Sequence, residues 1–458
     1  MAKPRDEGLC DPVTVDATLD RDSDLTQRAP VTVDPTLDLA SDSTQRAPAT
    51  VDAALDSTQR DLVTGDDAIG STQRGFATAD DSLELTQRGS LAVEDSLDLT
   101  QRGPVTVDEA LDLAFGLAQR GPAHGPNPRV GCVLLAPDGQ VIGQGWHRGA
   151  GTPHAEVAAL NQAQAANLPT TGATAVVTLE PCHHWGLTPP CTQALTAAGI
   201  KRVVYALADP NPTAAGGAVA LAEAGIEVIG PVAERRAIDL NWAWFHALSW
   251  GRPVVTWKLA TTLDGRIAAL DGSSQWITSA AARRHAHANR QEVDAIAIGT
   301  GTLYADDPAL TARVDATVEA ALAPDQPLRV VLGDRPIPAQ ARLHGPGGPV
   351  IALPGHDPAQ VLAALAERQV RHLLIEGGAT VAAAFLAADL VDAIDAYIAP
   401  IILGDGTSAV APFGVTTLAD APRWQIVETA QLGSDIFTRL RRTTAPEQSF
   451  TPTLGGSS

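Results

Sequence analysis

Three side chains in this sequence stand at spacings that suit a metal ion. His154-Ala155-Glu156 opens a stretch of helical pattern, Pro181-Cys182 follows an apolar run, and Cys191 begins another helical stretch nine positions later. One imidazole and two thiolates leave the fourth corner of a tetrahedral zinc open, which is the arrangement of a catalytic rather than a structural site. Cysteines near helix N-termini are more readily deprotonated, which favours ligation. Glu156 lies beside one ligand without needing to be one, so it is suited to take a proton from an attacking water and return it to a leaving amine. A lone His-Ala-Glu carries little weight, and two thiols separated by eight residues are more often core residues. H-x-E together with P-C is the signature of zinc nucleobase deaminases. Zn2+ held by His154, Cys182 and Cys191, with Glu156 as the catalytic proton carrier, is the expectation.

Rigid elements must hold these groups. VGCVLLA from Val130 and QVIGQGWH from Gln140 alternate as two strands joined at Pro137-Asp138-Gly139, and HAEVAALNQAQAA from His154 has helical character. TAVVTLEPC and KRVVYALAD read as further strands, with CTQALTAAG as a helix between them. Ahead of them VTVDEALDLAFGLAQRG, residues 105–121, places Leu111, Leu113, Ala114, Phe115, Leu117 and Ala118 on one helical face. That succession predicts an α/β layered domain. Ser249-Trp250-Gly251-Arg252-Pro253 marks a fresh start. Beyond it VVTWKLA, DAIAIGTG, LRVVLGD, PVIALPG, HLLIEGG and AIDAYIAPIILG read as strands alternating with alanine-rich helices. Gly377-Gly378 after a strand, with ATVAAAFL opening a helix, offers free backbone N–H groups to a pyrophosphate, although by itself this is ordinary turn chemistry. Asp306-Asp307, followed by Pro308 and joined by no further ligand, reads as a loop that bonds cofactor or backbone. Cys132 is expected to be buried beside the zinc layer, and Cys10 to have no role.

At 458 residues the chain is long enough for two domains and extras. A formal charge of −21 opposes nucleic acid and anionic membrane as partners. A small phosphorylated substrate remains compatible, since a local arginine pair can hold one phosphate. Four cysteines, two of them close together near histidines, suit a metal site in a reducing compartment. The beginning MAKPRDEGLCDPVTVD lacks an apolar export region, and no run approaches the roughly 20 apolar residues of a membrane span. A cytoplasmic protein is expected. The first part is repetitive: Thr-Gln-Arg ends at Arg28, Arg46, Arg60, Arg74, Arg88 and Arg102, with a variant copy at Ala118-Gln119-Arg120. Each unit reads as one short helix with Asp as N-cap. Residues 1–103 are rich in acid and hold a single aromatic, Phe76, so a disordered or weakly helical extension is expected, either without function or as a tether.

The segments PNPRVGCVLL, GQGWHRGAGTPHAEV, LEPCHHWGLTPPC and ADPNPTAAGG closely resemble the bacterial bifunctional riboflavin-biosynthesis family. So do WKLATTLDGRIAALDGSSQWITS, ANRQEVDAIAIGTGTLYADDPALTAR and LLIEGGATVAAAFLAADLVDAIDAYIAPIILG. The resemblance spans roughly 105–442. It implies a cytidine-deaminase-like α/β/α domain at 104–250 and a dihydrofolate-reductase-like α/β domain at 251–442, after the acidic repeat extension at 1–103 and before a tail at 443–458. The implied activities are deamination of a phosphoribosylaminopyrimidine and then NADPH-dependent reduction of its ribosyl group to ribityl. Asn127 and His147 in the first domain, and Ser274, Arg290, Leu310, Arg313 and Glu376 in the second, are implied to bind substrate, the two arginines gripping its phosphate. Ala260, Trp276, Thr302, Asp306, Gly378, Ala379, Thr380, Val381, Ala382, Ala383 and Ala384 are implied to line the NADPH site. The partner is a small phosphorylated pyrimidine, and the chain is implied to form a homo-oligomer. One departure matters. The family carries a basic residue, expected to hold the phosphate, where this chain has Leu187, and losing such a contact costs about 1.5 to 3 kcal/mol. His183 and Arg148 are the candidates to compensate. The alternative is a weak or retargeted deaminase half beside an active reductase.

Overall fold

Thr106 starts the first helix by satisfying its free N–H groups. The Thr106 hydroxyl accepts from the Glu109 N–H, and the Glu109 carboxylate accepts the Thr106 N–H at 2.8 Å, closing a capping box on α1 (Val107–Ala118). In this last copy of the repeat the cap is therefore Thr106, not an aspartate; Asp108 sits in the first turn, where it complements the helix dipole. The computed structural model describes residues 103–442 except 187, 315–320 and 356. The earlier repeats, the tail from 443 and Leu187 lie outside the described residues.

The first sheet has the order β2-β1-β3-β4-β5, from β1 (Gly131–Leu135), β2 (Val141–Trp146), β3 (Thr174–Val177), β4 (Arg202–Tyr205) and β5 (Glu227–Ile229). β1 runs antiparallel to β2 and β3, while β3, β4 and β5 run parallel. The two-residue alternation of a strand sends Cys132 and Leu134 to one face, against Ala155 and Ala159 of α2 (Ala155–Ala165), Leu195 of α3 (Cys191–Ala197) and Leu221 of α4 (Gly217–Glu223). Val133 and Leu135 face α1 and Ala237 of α5 (Glu234–Leu240) on the other side. The result is the α/β/α sandwich, and Leu113 is only half-buried in it. Gly143 and Gly145 on β2 are what lets α2 lie so close: a Cβ at either would run into the carbonyls of Ala159 or Ala155. That close seating fixes the first turn of α2, with His154 and Glu156, against the sheet.

α6 (Trp242–Trp250) leads to the second sheet. There β6 (Val254–Thr262), β8 (Ala295–Gly299), β9 (Leu328–Leu332), β10 (Val350–Leu353), β11 (His372–Glu376) and β12 (Ala393–Ala399) run parallel, and the full order is β10-β9-β8-β11-β6-β12-β15-β14. β7 (Arg266–Ala268) and β13 (Thr407–Ser408) form a separate small ladder. The helices are α7 (Ala280–Asn289), α8 (Thr300–Asp306), α9 (Pro358–Ala366) and α10 (Ala379–Ala387). β11 enters between β8 and β6, so the winding reverses there, and the carboxyl ends of strands at such a reversal are where open α/β sheets bind ligands. β14 (Trp424–Leu432) and β15 (Asp435–Arg442) add an antiparallel hairpin at the edge, which the sequence pattern did not reveal. Three expected strands also end early, at Val177, Tyr205 and Ala399. After Val177 the chain turns out of the ladder, the Glu180 N–H donating to the Leu207 carbonyl.

Candidate active sites

His154 is the N-cap of α2 and Cys191 the first residue of α3, while Cys182 comes from the loop after β3. His154 Nδ1 lies 3.5 Å from Cys182 Sγ and 3.3 Å from Cys191 Sγ. In a tetrahedral zinc site with the usual Zn–S and Zn–N lengths such edges are about 3.5 Å, so the three donors fit three corners of one tetrahedron. The Cys191 N–H points at Cys182 Sγ across 3.5 Å. The hydrogen bond from Cys191 pulls the Cys182 thiol down to about 4 despite burial, with His154 adding to the pull. The same hydrogen bond, followed by burial, raises Cys191. Both thiols must be deprotonated to ligate a metal.

Glu156 is 3% exposed, one residue into α2. Burial pushes its carboxyl up to about 7, against the pull of His154, which puts its protonation change in the range useful for proton transfer at neutral pH. Cys132 is fully buried behind it, its thiol pushed up by burial and then by Glu156. Asn127 and His147 line the same cleft as His154, Glu156 and Cys182. The Asn127 amide donates to His147 Nε2 at 2.9 Å, leaving the opposite ring N–H to donate to the Pro153 carbonyl at 3.3 Å. Burial lowers the His147 pKa, keeping the ring neutral.

The sequence reading missed Glu180, His184, Asp209 and Asn211 in this cleft. The ADPNPTAAGG segment held the signal for the last two. Glu180 accepts the N–H groups of Asp209 and Ala218 at 3.0 and 2.8 Å and so ties the wall together. Burial pushes Asp209 up to about 6. Of the two candidates to compensate for Leu187, His183 Nδ1 is engaged with Thr192 Oγ1 at 3.0 Å and the Arg148 guanidinium lies 4.3 Å over the Trp146 ring.

In the second sheet Glu376 ends β11 and Gly377-Gly378 turns the chain into α10. Both glycines have left-handed φ values of 76° and 78°, and a Cβ on either would press on Thr302 at 3.2 Å. Thr302 and the first turn of α10 therefore adjoin this turn. Ala382 and Ala383, also expected at the cofactor, are buried, Ala382 in the main core. Ala379, Val381 and Ala384 are half-buried and Thr380 is exposed. Ala260 on β6 packs beside Tyr397 and Phe437. Asp306 is the last residue of α8 rather than part of a loop, and Asp307, its C-cap, accepts the Arg342 N–H at 2.9 Å.

Arg290 places Nε and Nη2 on the two Glu376 oxygens at 2.6 and 2.7 Å, and donates through Nη1 to the Thr311 carbonyl at 3.0 Å. Its fork thus holds a carboxylate. Arg313, its expected companion, lines the cleft with Trp276, Lys258, Arg283, Arg284 and His287, the last four of which sequence reasoning missed. Trp276 is 68% exposed with the Arg283 guanidinium 4.4 Å over its ring. Leu310 is buried in a left-handed turn at φ 51°, and Ser274 is half-buried.

Burial alone would raise the Glu376 carboxyl, but the Arg290 charge and hydrogen bonds, then Lys258, hold it down to about 2. A depressed carboxylate stabilises the fold fully above its unfolded pKa, and that stability is lost as pH falls through the folded pKa. The shift is worth about 3 kcal/mol. Thermal melts between pH 6 and 2 are expected to show this loss beginning near 4.5 and completing near 2, and Glu376→Gln is expected to flatten that part of the profile; an unchanged profile would count against the pair.

A His-Cys-Cys-Glu cleft on an α/β/α sandwich, followed by a parallel sheet with a Gly-Gly turn beside a basic cleft, defines a zinc deaminase fused to a nucleotide-dependent reductase. Residues 105–207 match the cytidine and deoxycytidylate deaminase zinc-binding region, and residues 253–438 match the RibD C-terminal domain. The chain belongs to the RibD family of riboflavin biosynthesis proteins and is a bifunctional enzyme, deaminase and reductase in one chain. It is 48% identical to the riboflavin biosynthesis protein RibD of Mycobacterium tuberculosis H37Rv over 316 residues, covering 69% of this chain and 91% of that one. With RibD of Escherichia coli K12 it shares 40% over 360 residues, covering 71% and 97%. Among solved structures, the Thermotoga maritima diaminohydroxyphosphoribosylaminopyrimidine deaminase/5-amino-6-(5-phosphoribosylamino)uracil reductase superposes with a TM-score of 0.67 at 32% identity, covering 73% of this chain and 98% of that one. Acinetobacter baumannii RibD gives 0.67 at 39%, covering 76% and 100%. No helix among the described residues is long and apolar enough to cross a membrane.

Proposed function

We propose that residues 104–250 hydrolytically deaminate 2,5-diamino-6-ribosylamino-4(3H)-pyrimidinone 5′-phosphate, and that residues 251–442 then reduce the ribosyl side chain of the product to ribityl with NADPH. The observation that carries the first half is the meeting of His154, Cys182 and Cys191 around one point, with Glu156 in the same cleft. Zinc, when bound by those three, supplies the Lewis acidity that makes water a nucleophile at neutral pH. Glu156 accepts the proton of the attacking water and delivers it to the departing amine. Asn127 and the neutral His147 hold the pyrimidine edge. This complete set in one cleft weighs against a chain in which only the reductase works.

In the second half NADPH supplies the hydride, and the protein's part is positioning and charge. Thr302 and the first turn of α10 receive the cofactor phosphates. Glu376, fixed by Arg290, faces the substrate, and Arg283, Arg284 and Arg313 offer the donors for its phosphate. We place the enzyme in the cytoplasm as a homo-oligomer. Metal analysis and both half-reactions on one purified sample test the reading. One zinc per chain is expected, and stripping it with a chelator is expected to abolish ammonia release while NADPH oxidation on the deaminated pyrimidine continues. Ammonia release from metal-free protein would sink it.

A further inference from the structure

The two clefts differ in charge. Lys258, Arg283, Arg284, Arg290 and Arg313 line the reductase cleft. Among the described residues no lysine or arginine lines the deaminase cleft, whose acidic side chains are Glu156, Glu180 and Asp209. Of two arginines close by in the chain, Arg129 donates to Glu292 at 3.0 Å and to the Gly121 carbonyl at 3.0 Å, and Arg148 is exposed with its guanidinium over Trp146, outside the cleft lining. Between Gly186 and Thr188, which line the cleft, the sequence has leucine. A phosphate dianion at such walls meets no lysine or arginine to pair with.

What the cleft offers is hydrogen bonding from histidine and amide side chains. His184 lines it, and its Nδ1 is buried without a partner, an unmet demand that a ligand hydroxyl or ring atom relieves. The Asn127 and Asn211 side chains add amide groups to the same wall. Base edges and sugar hydroxyls can both donate to and accept from these groups, whereas a phosphate dianion can only accept.

We infer that the deaminase cleft recognises its substrate through base and sugar and leaves the 5′-phosphate in solvent, so that the dephosphorylated ribosylaminopyrimidine is deaminated about as well as the phosphate ester. Selectivity for phosphate then resides in the reductase cleft. This rests on the deaminase reading above and narrows its substrate class.

The test is ammonia release by the full-length zinc-loaded chain with 2,5-diamino-6-ribosylamino-4(3H)-pyrimidinone and with its 5′-phosphate. The two kcat/KM values are expected within about threefold of each other, since no lysine or arginine contact, worth roughly ten- to hundredfold, distinguishes them. Leu187→Arg is expected to move the ratio toward the phosphate by about tenfold or more. His184→Ala is expected to lower both values in the same proportion. A wild-type preference for the phosphate above about thirtyfold, or a His184→Ala loss confined to the phosphate ester, overturns the inference. Ammonia from neither compound overturns the deaminase reading itself and this inference with it.

Discussion

Replacing Glu156 with Gln is expected to slow ammonia release by about 10²–10⁴-fold, the usual worth of a positioned general acid–base group, while NADPH oxidation on the deaminated pyrimidine keeps its wild-type rate. Glutamine nearly preserves the volume of a side chain that is 3% exposed, so packing against the sheet changes little. It cannot carry a proton from the attacking water to the amine. Zinc content is expected to stay at one per chain, because the three donors that surround the metal position are His154, Cys182 and Cys191. A parallel loss of zinc would mean that Glu156 helps to hold the metal, and a fall in both half-reactions would mean that the two clefts do not work independently. Unchanged ammonia release would remove Glu156 from the chemistry altogether.

The deaminase cleft was far more legible in the sequence than the reductase cleft, and the reason is physical. A metal position needs rare residue types, and His154, Glu156, Cys182 and Cys191 occur in short segments whose strand and helix patterns are themselves plain, so local order predicts the meeting point. The reductase cleft is built from common cations. Arg283 and Arg284 on α7 look in sequence like any solvated helix face, and Lys258 looks like one polar position in an apolar strand. Only the packing of α7 over β6, β12 and β15 brings them to a single crevice. The hairpin of β14 and β15 stayed hidden because most of β14 is exposed and its residues lack the apolar alternation that marks a half-buried strand.

Arg290 shows the same limit more sharply, since family resemblance marked it as a phosphate donor and the structure gives its fork to Glu376, 86 positions away. The pair is largely shielded, with side chains 15% and 9% exposed. Removing one member of such a pair strands the other charge, which costs about 3–5 kcal/mol. Arg290→Met is therefore expected to destabilise the fold by about that amount, reduced in part because Lys258 remains beside the carboxylate. The kinetic signature separates the two roles. If Arg290 chiefly orients Glu376, NADPH oxidation loses kcat while KM for the phosphorylated intermediate changes little, and Arg283→Gln with Arg284→Gln raises KM instead. If Arg290 grips the phosphate, its own loss raises KM most. Adding Glu376→Gln to Arg290→Met is expected to recover much of the stability, because no buried charge is then stranded, yet none of the reduction. Recovery of both would mean that the pair only props up the fold, and no recovery of stability would mean that the carboxylate was never short of a partner. Ammonia release is expected to continue in all three variants, because the zinc donors and Glu156 stand on the other sheet.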